Sequence, residues 1–195
     1  MKRLLISASF VAAAILPSAA HAQAIPAAVI AVVDLDKVTA NCNACKAANA
    51  ALQSQLTAEQ NREKALGTPL ETERNSIQTA VNALNGKEPD AALQARIKAF
   101  QTKAQQAQDE VERARAQLQA NQAYIRKQIA DKLGPIYSQV MQRRGANVMV
   151  EIGATLASGA NLDVTNDVLT ALNTALPSVS TTAPAATRTS QPQGR

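Results

Sequence analysis

Residues 93–132 carry a seam in which steps of four and three alternate without a slip: Leu93, Ile97, Phe100, Ala104, Ala107, Val111, Ala114, Leu118, Asn121, Ile125, Gln128 and Lys132. This is the a/d spacing of a coiled coil. The positions between are filled with Gln, Lys, Arg, Glu and Ala, all good helix formers, and neither Gly nor Pro occurs in residues 91–133. At ~1.5 Å per residue such a helix is about 60 Å long. A rod of that length with one narrow apolar stripe cannot be wrapped inside a domain of this size. It has to project and pack its stripe on another helix.

The partner lies upstream. A second series runs Asn49, Leu52, Leu56, Glu59, Glu63, Leu66, Leu70, Glu73, Ile77, Ala80 and Leu84, and the link between the two is Asn85-Gly86-Lys87-Glu88-Pro89-Asp90. Gly after a helix and Pro at the start of the next are stop and start signals. Two long helices joined so briefly predict an antiparallel helical hairpin with its tip near 85–90. The first arm is the weaker: Glu59, Glu63 and Glu73 fall on its seam, and Gly67-Thr68-Pro69 predicts a kink or loose joint. Such a hairpin reads equally as a structural spacer or as a working surface.

The ends of the chain set its compartment. Met1-Lys2-Arg3, an apolar run over 4–16 and Ala20-His21-Ala22 form the three parts of a secretory signal, with cleavage after Ala22. The apolar run is short for a membrane span. Without Lys2 and Arg3, 18 basic residues face 15 acidic ones, so the mature chain is only mildly cationic. The charge is uneven: residues 42–84 hold four of each sign, whereas residues 91–133 hold eight basic and four acidic. The second arm therefore presents a basic solvent face, suited to acidic partners or to peripheral contact with an anionic membrane surface. Nucleic acid is not expected, since the compartment is wrong and no aromatics are interleaved for base stacking. Only Phe100, Tyr124 and Tyr137 remain after the signal, too few for a deep small-molecule pocket.

Around the hairpin the ends predict a small α/β body, residues 23–40 and 134–176. Val29-Ile30-Ala31-Val32-Val33-Asp34 reads as a buried strand, with Asp34 or Asp36 at the following helix start. Gly134-Pro135 predicts a break in the second arm (41–133 being the whole arm), after which helix resumes to about Arg144 and stops at Gly145. Residues 147–152 read as a second strand, 153–159 as a turn with a short third strand, and 166–173 as a helix capped by Thr165. Residues 177–195, rich in Ser, Thr, Ala, Pro and Gln, predict a disordered tail. Two or three short strands do not stand alone, so the body is expected to self-associate into a homo-oligomer. The fold class is thus mainly α with a small β body, a long antiparallel coiled-coil hairpin projecting from an oligomerisation core.

Chemistry has little foothold. The single His is His21, inside the signal, and no P-loop, G-x-S-x-G or G-x-G-x-x-G occurs. No enzyme, catalytic residue, cofactor or metal is expected. Cys42-Asn43-Ala44-Cys45 reads as a structural disulfide in an oxidising compartment, with exchangeable thiols or half of an intersubunit zinc site as alternatives.

With these parts in view the chain resembles the Skp/OmpH family of periplasmic chaperones. The resemblance spans about 30–173 and rests on the signal, the strand Ile30-Ala31-Val32-Val33-Asp34, the charged hairpin and, most specifically, Asn147-Val148-Met149-Val150-Glu151 followed by Leu162-Asp163-Val164-Thr165-Asn166-Asp167-Val168-Leu169. The last segment is similar to the family's D-[IV]-T-x-[DE]-V-L motif before its final helix. The resemblance implies a trimer whose strands build a small β-barrel-like core. Three hairpins hang from that core around a cavity that holds unfolded outer-membrane β-barrel precursors without ATP. Lys98, Lys103, Arg113 and Arg115 are then the candidate client-facing residues, with a plain solvated face as the other reading. The Cys pair, the modest positive charge of the hairpin and the Pro-containing tail depart from the family pattern, and no stretch marks a lipopolysaccharide site. A structural or adaptor coiled coil of an envelope assembly, and a thiol enzyme using Cys42 and Cys45, are the competing readings.

Overall fold

The structure, a computed structural model, describes residues 25–184. The signal expected at 1–22 and the last part of the expected tail, 185–195, lie outside the described residues. Strand β1 (Ile30–Val33) leads into helix α1 (Leu35–Asn41), then the long helices α2 (Asn43–Ala83) and α3 (Ala91–Arg144), strand β2 (Val148–Glu151) and helix α4 (Thr165–Ala175).

β1 is short and β-branched, and three of its four residues are buried. It pairs in parallel with β2, Ile30 opposite Val148 and Val33 opposite Glu151. Parallel pairing needs a long crossover, and here the entire helical middle of the chain supplies it. On the other edge of β1, Val32 bridges Asp163 and the Val164 N–H donates to the Val32 carbonyl. That bridge lies past the third strand expected within 153–159. Residues 153–159 form no strand, because tight 3₁₀ turns at Ile152–Ala154 and Ala160–Leu162 take up the backbone on either side.

The core gathers at one end of the chain's helices: Ala31 and Val33 of β1, Val38 of α1, Cys42 and Cys45 at the α1–α2 junction, Leu133, Ile136 and Val140 of α3, and Val164, Val168 and Leu172 around α4. Asp34 caps α1, its carboxylate accepting from the Lys37 N–H at 2.7 Å. α4 begins differently from expectation. Its cap position is Val164, because the Thr165 hydroxyl oxygen instead accepts the Asp34 N–H at 2.9 Å, and the Asp163 carboxylate takes the Thr165 N–H at 2.8 Å. One short network therefore ties the start of α1 to the start of α4. Hydrogen bonds from Thr165 hold the Asp163 carboxyl below its usual range. A depressed carboxylate contributes stability that is present above its unfolded value and lost as pH falls through its folded one. Acid unfolding of the body is therefore expected to steepen below about pH 4. Asp163→Asn should flatten that limb in a circular-dichroism titration.

The break expected at Gly134-Pro135 needs correction, and at Pro69 the helix is not interrupted. α2 runs unbroken through Gly67 and Pro69, and α3 through Gly134 and Pro135. Each Pro removes one N–H, orphaning the carbonyl four residues back. Ala65, Pro69, Asp131 and Pro135 are all exposed, so water can take up those carbonyls. Leu66 and Leu70, and Leu133 and Ile136, keep the helices docked on either side of the prolines. α3 ends as its sequence signals: Gly145 is left-handed at φ 65°, and the Ala146 N–H closes on the Met141 carbonyl. In the 84–90 link, Asn85 and Gly86 both have positive φ, and Asp90 caps α3 through the Leu93 N–H.

Candidate binding surface

The stripe expected on α3 is at least half-buried from Leu93 to Gln128, but Lys132 is exposed and Leu133 takes its place. The slip follows from the helix turning at 3.6 rather than 3.5 residues, which accumulates over many turns. α2 drifts likewise: Asn49, Leu56 and Glu63 face solvent, while Ala48, Leu52, Gln55 and Glu59 turn inward. Among the described residues no side chain of 49–120 is fully buried. The two long helices thus share a thin, half-wet seam and have no core of their own.

Ion pairs lie across that seam. Glu73 meets Arg96 at 2.6 Å, Arg62 meets Glu110 at 2.5 Å and Glu63 meets Arg115 at 2.8 Å. Residue 73 of α2, nearer the link, meets 96 of α3, whereas 62 and 63, farther from it, meet 110 and 115. Two of the three acidic seam residues, Glu63 and Glu73, are therefore bound to arginines. Arg96 grips Glu73 through two nitrogens and also donates to the Ser76 hydroxyl, and its hydrogen bond holds the Glu73 carboxyl below the usual range.

Of the four basic residues singled out, all are exposed. Arg115 is tied to Glu63, and the Arg113 guanidinium donates to the Asp109 carbonyl one turn back. Lys103 lies near Glu73. Spaced as they are on a helix of 100° per residue, the four spread around α3 and form no single patch.

Beside the seam are shallow grooves. One of about 590 Å³ is lined by Gln55, Arg62, Glu110, Arg113, Leu118 and Thr182, among others. Another of about 740 Å³ lies nearer the core, walled by Leu52, Ile125, Ile129 and Leu133. A third, of about 370 Å³, has Leu66, Leu70, Ala107 and Val111 along it. Together they give the arm a surface of small apolar strips between charged pairs.

The chain's own C-terminal segment enters the first groove. Although 177–195 was expected to be disordered, residues 180–183 are hydrogen-bonded to the arm. Gln128 pairs with Ser180, accepting its N–H and donating to its carbonyl, both at 2.9 Å. Gln55 donates to the Thr181 carbonyl at 3.2 Å, and the Ala183 N–H donates to Asn121 at 2.8 Å. Asn121, nearly buried, is held by Gln55 and Gln117. The sequence did carry one signal for this site, since Asn121 and Gln128 interrupt an otherwise apolar seam with amides.

Cys42 and Cys45 form a disulfide with Cα atoms 5.1 Å apart, at the step between α1 and α2. Both are buried, which shields the sulfurs from an attacking thiolate. The ring is small, so its expected contribution is about 2 kcal/mol. The double substitution Cys42→Ser/Cys45→Ser should lower the denaturant midpoint by the corresponding amount, and dithiothreitol should reproduce the loss in the unsubstituted protein. Among the described residues, no group of three His, Cys, Asp or Glu side chains could hold a metal ion, and no helix is long and apolar enough to cross a membrane.

Residues 29–172 match a family described as Outer membrane protein (OmpH-like). Among solved structures, one from Caulobacter crescentus CB15, described as a candidate outer membrane chaperone (OmpH-like), superposes with a TM-score of 0.66 at 16% identity. The match covers 80% of this chain and 90% of that one. No curated protein sequence matches the chain significantly.

Proposed function

The chain belongs to the OmpH-like family, also called Skp/OmpH, and from that premise we propose that it is an ATP-independent periplasmic holdase that binds unfolded outer-membrane proteins and keeps them from aggregating. The observation that carries the reading is the arm. Two long helices with no fully buried side chain over 49–120 leave half-exposed apolar strips among charged pairs. Such a surface suits many weak contacts with a chain that has no fixed shape, and does not suit one tight ligand. Holding a barrel precursor unfolded requires affinity for the unfolded state, without a site for turnover. Ion pairs that join residue 73 to 96 near the link, and residues 62 and 63 to 110 and 115 farther from it, support an antiparallel coiled-coil hairpin. On this reading the chain is not an enzyme.

The body supports self-association. A two-stranded sheet is marginal by itself. Around it Val29, Ile30, Val148 and Ile152 are roughly 40–50% exposed, and Leu156 is fully exposed at 109%. We read this apolar rim as the contact between copies, in a homotrimer with a barrel-like centre as the family resemblance implies. Lys98, Lys103, Arg113 and Arg115 stand on the arm as dispersed cations that attract acidic stretches of a client without forming a pocket. The signal at 1–22 is the proposed route to the periplasm.

The test pairs two measurements on protein starting at Gln23. Light scattering gives the mass, and dilution of a urea-unfolded outer-membrane barrel protein without ATP gives the aggregation yield. A trimer that keeps the client soluble at near-stoichiometric ratio is expected. A monomer with no effect on aggregation overturns the reading and returns the chain to the adaptor class.

A further inference from the structure

The contacts made by residues 180–183 have an unusual character. Gln128 reads both the N–H and the carbonyl of Ser180. Gln55 reads the Thr181 carbonyl, Asn121 the Ala183 N–H and Gln117 the Ala183 carbonyl. Every one of these bonds goes to main chain. Among the described residues, the only hydrogen bond from a side chain of 180–183 stays within the segment, from the Ser180 hydroxyl to the Thr182 carbonyl. An amide side chain offers one acceptor and two donors, the same functions a neighbouring β-strand would offer. The amides are also pre-set: Asn121 donates to Gln55 and accepts from Gln117, which fixes its orientation before any segment arrives. Asn121 and Gln128 replace apolar seam residues, at a cost in helix packing that a bare spacer would have no reason to bear.

We propose that Gln55, Gln117, Asn121 and Gln128 form a binding site for the main chain of a non-helical polypeptide, filled in the free protein by residues 180–183 and taken over by an unfolded client. The site is blind to side-chain identity, because all its bonds to the segment are to groups that every residue except Pro carries. That matches a client set with little sequence in common. The tail is then a built-in competitor: it covers the amides when no client is present and lowers apparent affinity for any chain that must displace it. The proposal deepens the holdase reading and rests on it for the identity of the client, though not for the existence of the site.

Two variants test it on the full mature protein. One ends at Val179, which keeps that residue's packing on the core. The other, Ser180→Pro, removes one bonded N–H and leaves the arm untouched. A labelled peptide of residues 177–184 serves as probe in fluorescence anisotropy, with a peptide of the same composition in scrambled order beside it. The shortened protein is expected to bind both peptides with similar affinity. Gln128→Leu in that background should weaken both about tenfold, for the two hydrogen bonds removed. A urea-unfolded barrel protein should compete, and both tail variants should bind it several-fold more tightly than the unaltered chain does. No peptide binding by the shortened protein, binding of the native order only, or client affinity unchanged in both tail variants would each overturn the proposal. Should peptides bind and compete normally while barrel aggregation is not suppressed, the site stands and the holdase reading falls. Suppressed aggregation with silent tail variants is the converse.

Discussion

Leu172→Ala is expected to destabilise the body by about 2–5 kcal/mol, the range for emptying a buried leucine site that cannot collapse. Leu172 is the largest fully buried side chain among the described residues, and the core it joins draws on β1, α1, α3 and α4 at once. Of these elements only α3 has other apolar packing, its seam with α2. β1 is four residues long, α1 seven and α4 eleven, each too short to persist without tertiary support. Loss should therefore be cooperative, with a midpoint lowered by roughly 10 °C for a chain of this size. Differential scanning calorimetry measures it. A shift below about 2 °C would mean that the core tolerates the cavity and that the body does not melt as one unit. Because the proposed self-association runs through the rim of β1 and β2, the same substitution should also weaken the oligomer at low concentration.

The second large effect is a separation of stability from function. Deleting residues 56–117 and joining Gln55 to Leu118 across a short Gly-containing turn should leave the body folded and self-associated while removing most of the suppression of client aggregation, with only the amides Gln55, Asn121 and Gln128 left to hold a client. The reason is geometric: the deleted stretch contains no member of the buried core. It contains all three cross-seam ion pairs, two of the three larger grooves in whole or part, and all four candidate basic residues. Two readouts separate the outcomes. Thermal melting should keep a single transition near that of the full chain, and light scattering of a diluted unfolded barrel protein should rise most of the way to the level seen without chaperone. Fully retained anti-aggregation activity would move the binding surface from the outer arm to the body and the amides beside it. Loss of the melting transition would show that the arm stabilises the body, contrary to the placement of the core.

The ion pairs explain why the arm tolerates acidic residues on its seam. At an apolar seam Glu63 and Glu73 would be faults, yet each lies opposite an arginine of α3. Both partners stay well exposed, so these pairs set alignment more than they add stability. A hairpin aligned by solvated charges and a half-wet apolar stripe can open along its length at little cost. A surface that must adapt to chains of different sequence needs that property.

How much of this was written in the sequence depends on the range of the interaction. Helix identity came from period and composition, and the two caps Asp34 and Gly145 from local chemistry, because these are decided within a few residues. The parallel strands were legible as strands from β-branching, but their pairing across the whole helical middle was not, since nothing local encodes a partner more than a hundred residues away. The sequence alone misjudged Gly134-Pro135 as a helix break. Its rule counts the lost hydrogen bond, and only the folded helices show that Pro69 and Pro135 both face water. It also assigned Thr165 a cap that the Asp34 N–H had claimed from across the body. The amide site is the sharpest case. Asn121 and Gln128 stood out as polar residues on a seam, a one-dimensional fact. That they would meet Gln55 and the backbone of residues 180–183 followed only once α2, α3 and the end of the chain were brought side by side, because hydrogen bonds to main chain leave no mark on the sequence of the segment they hold.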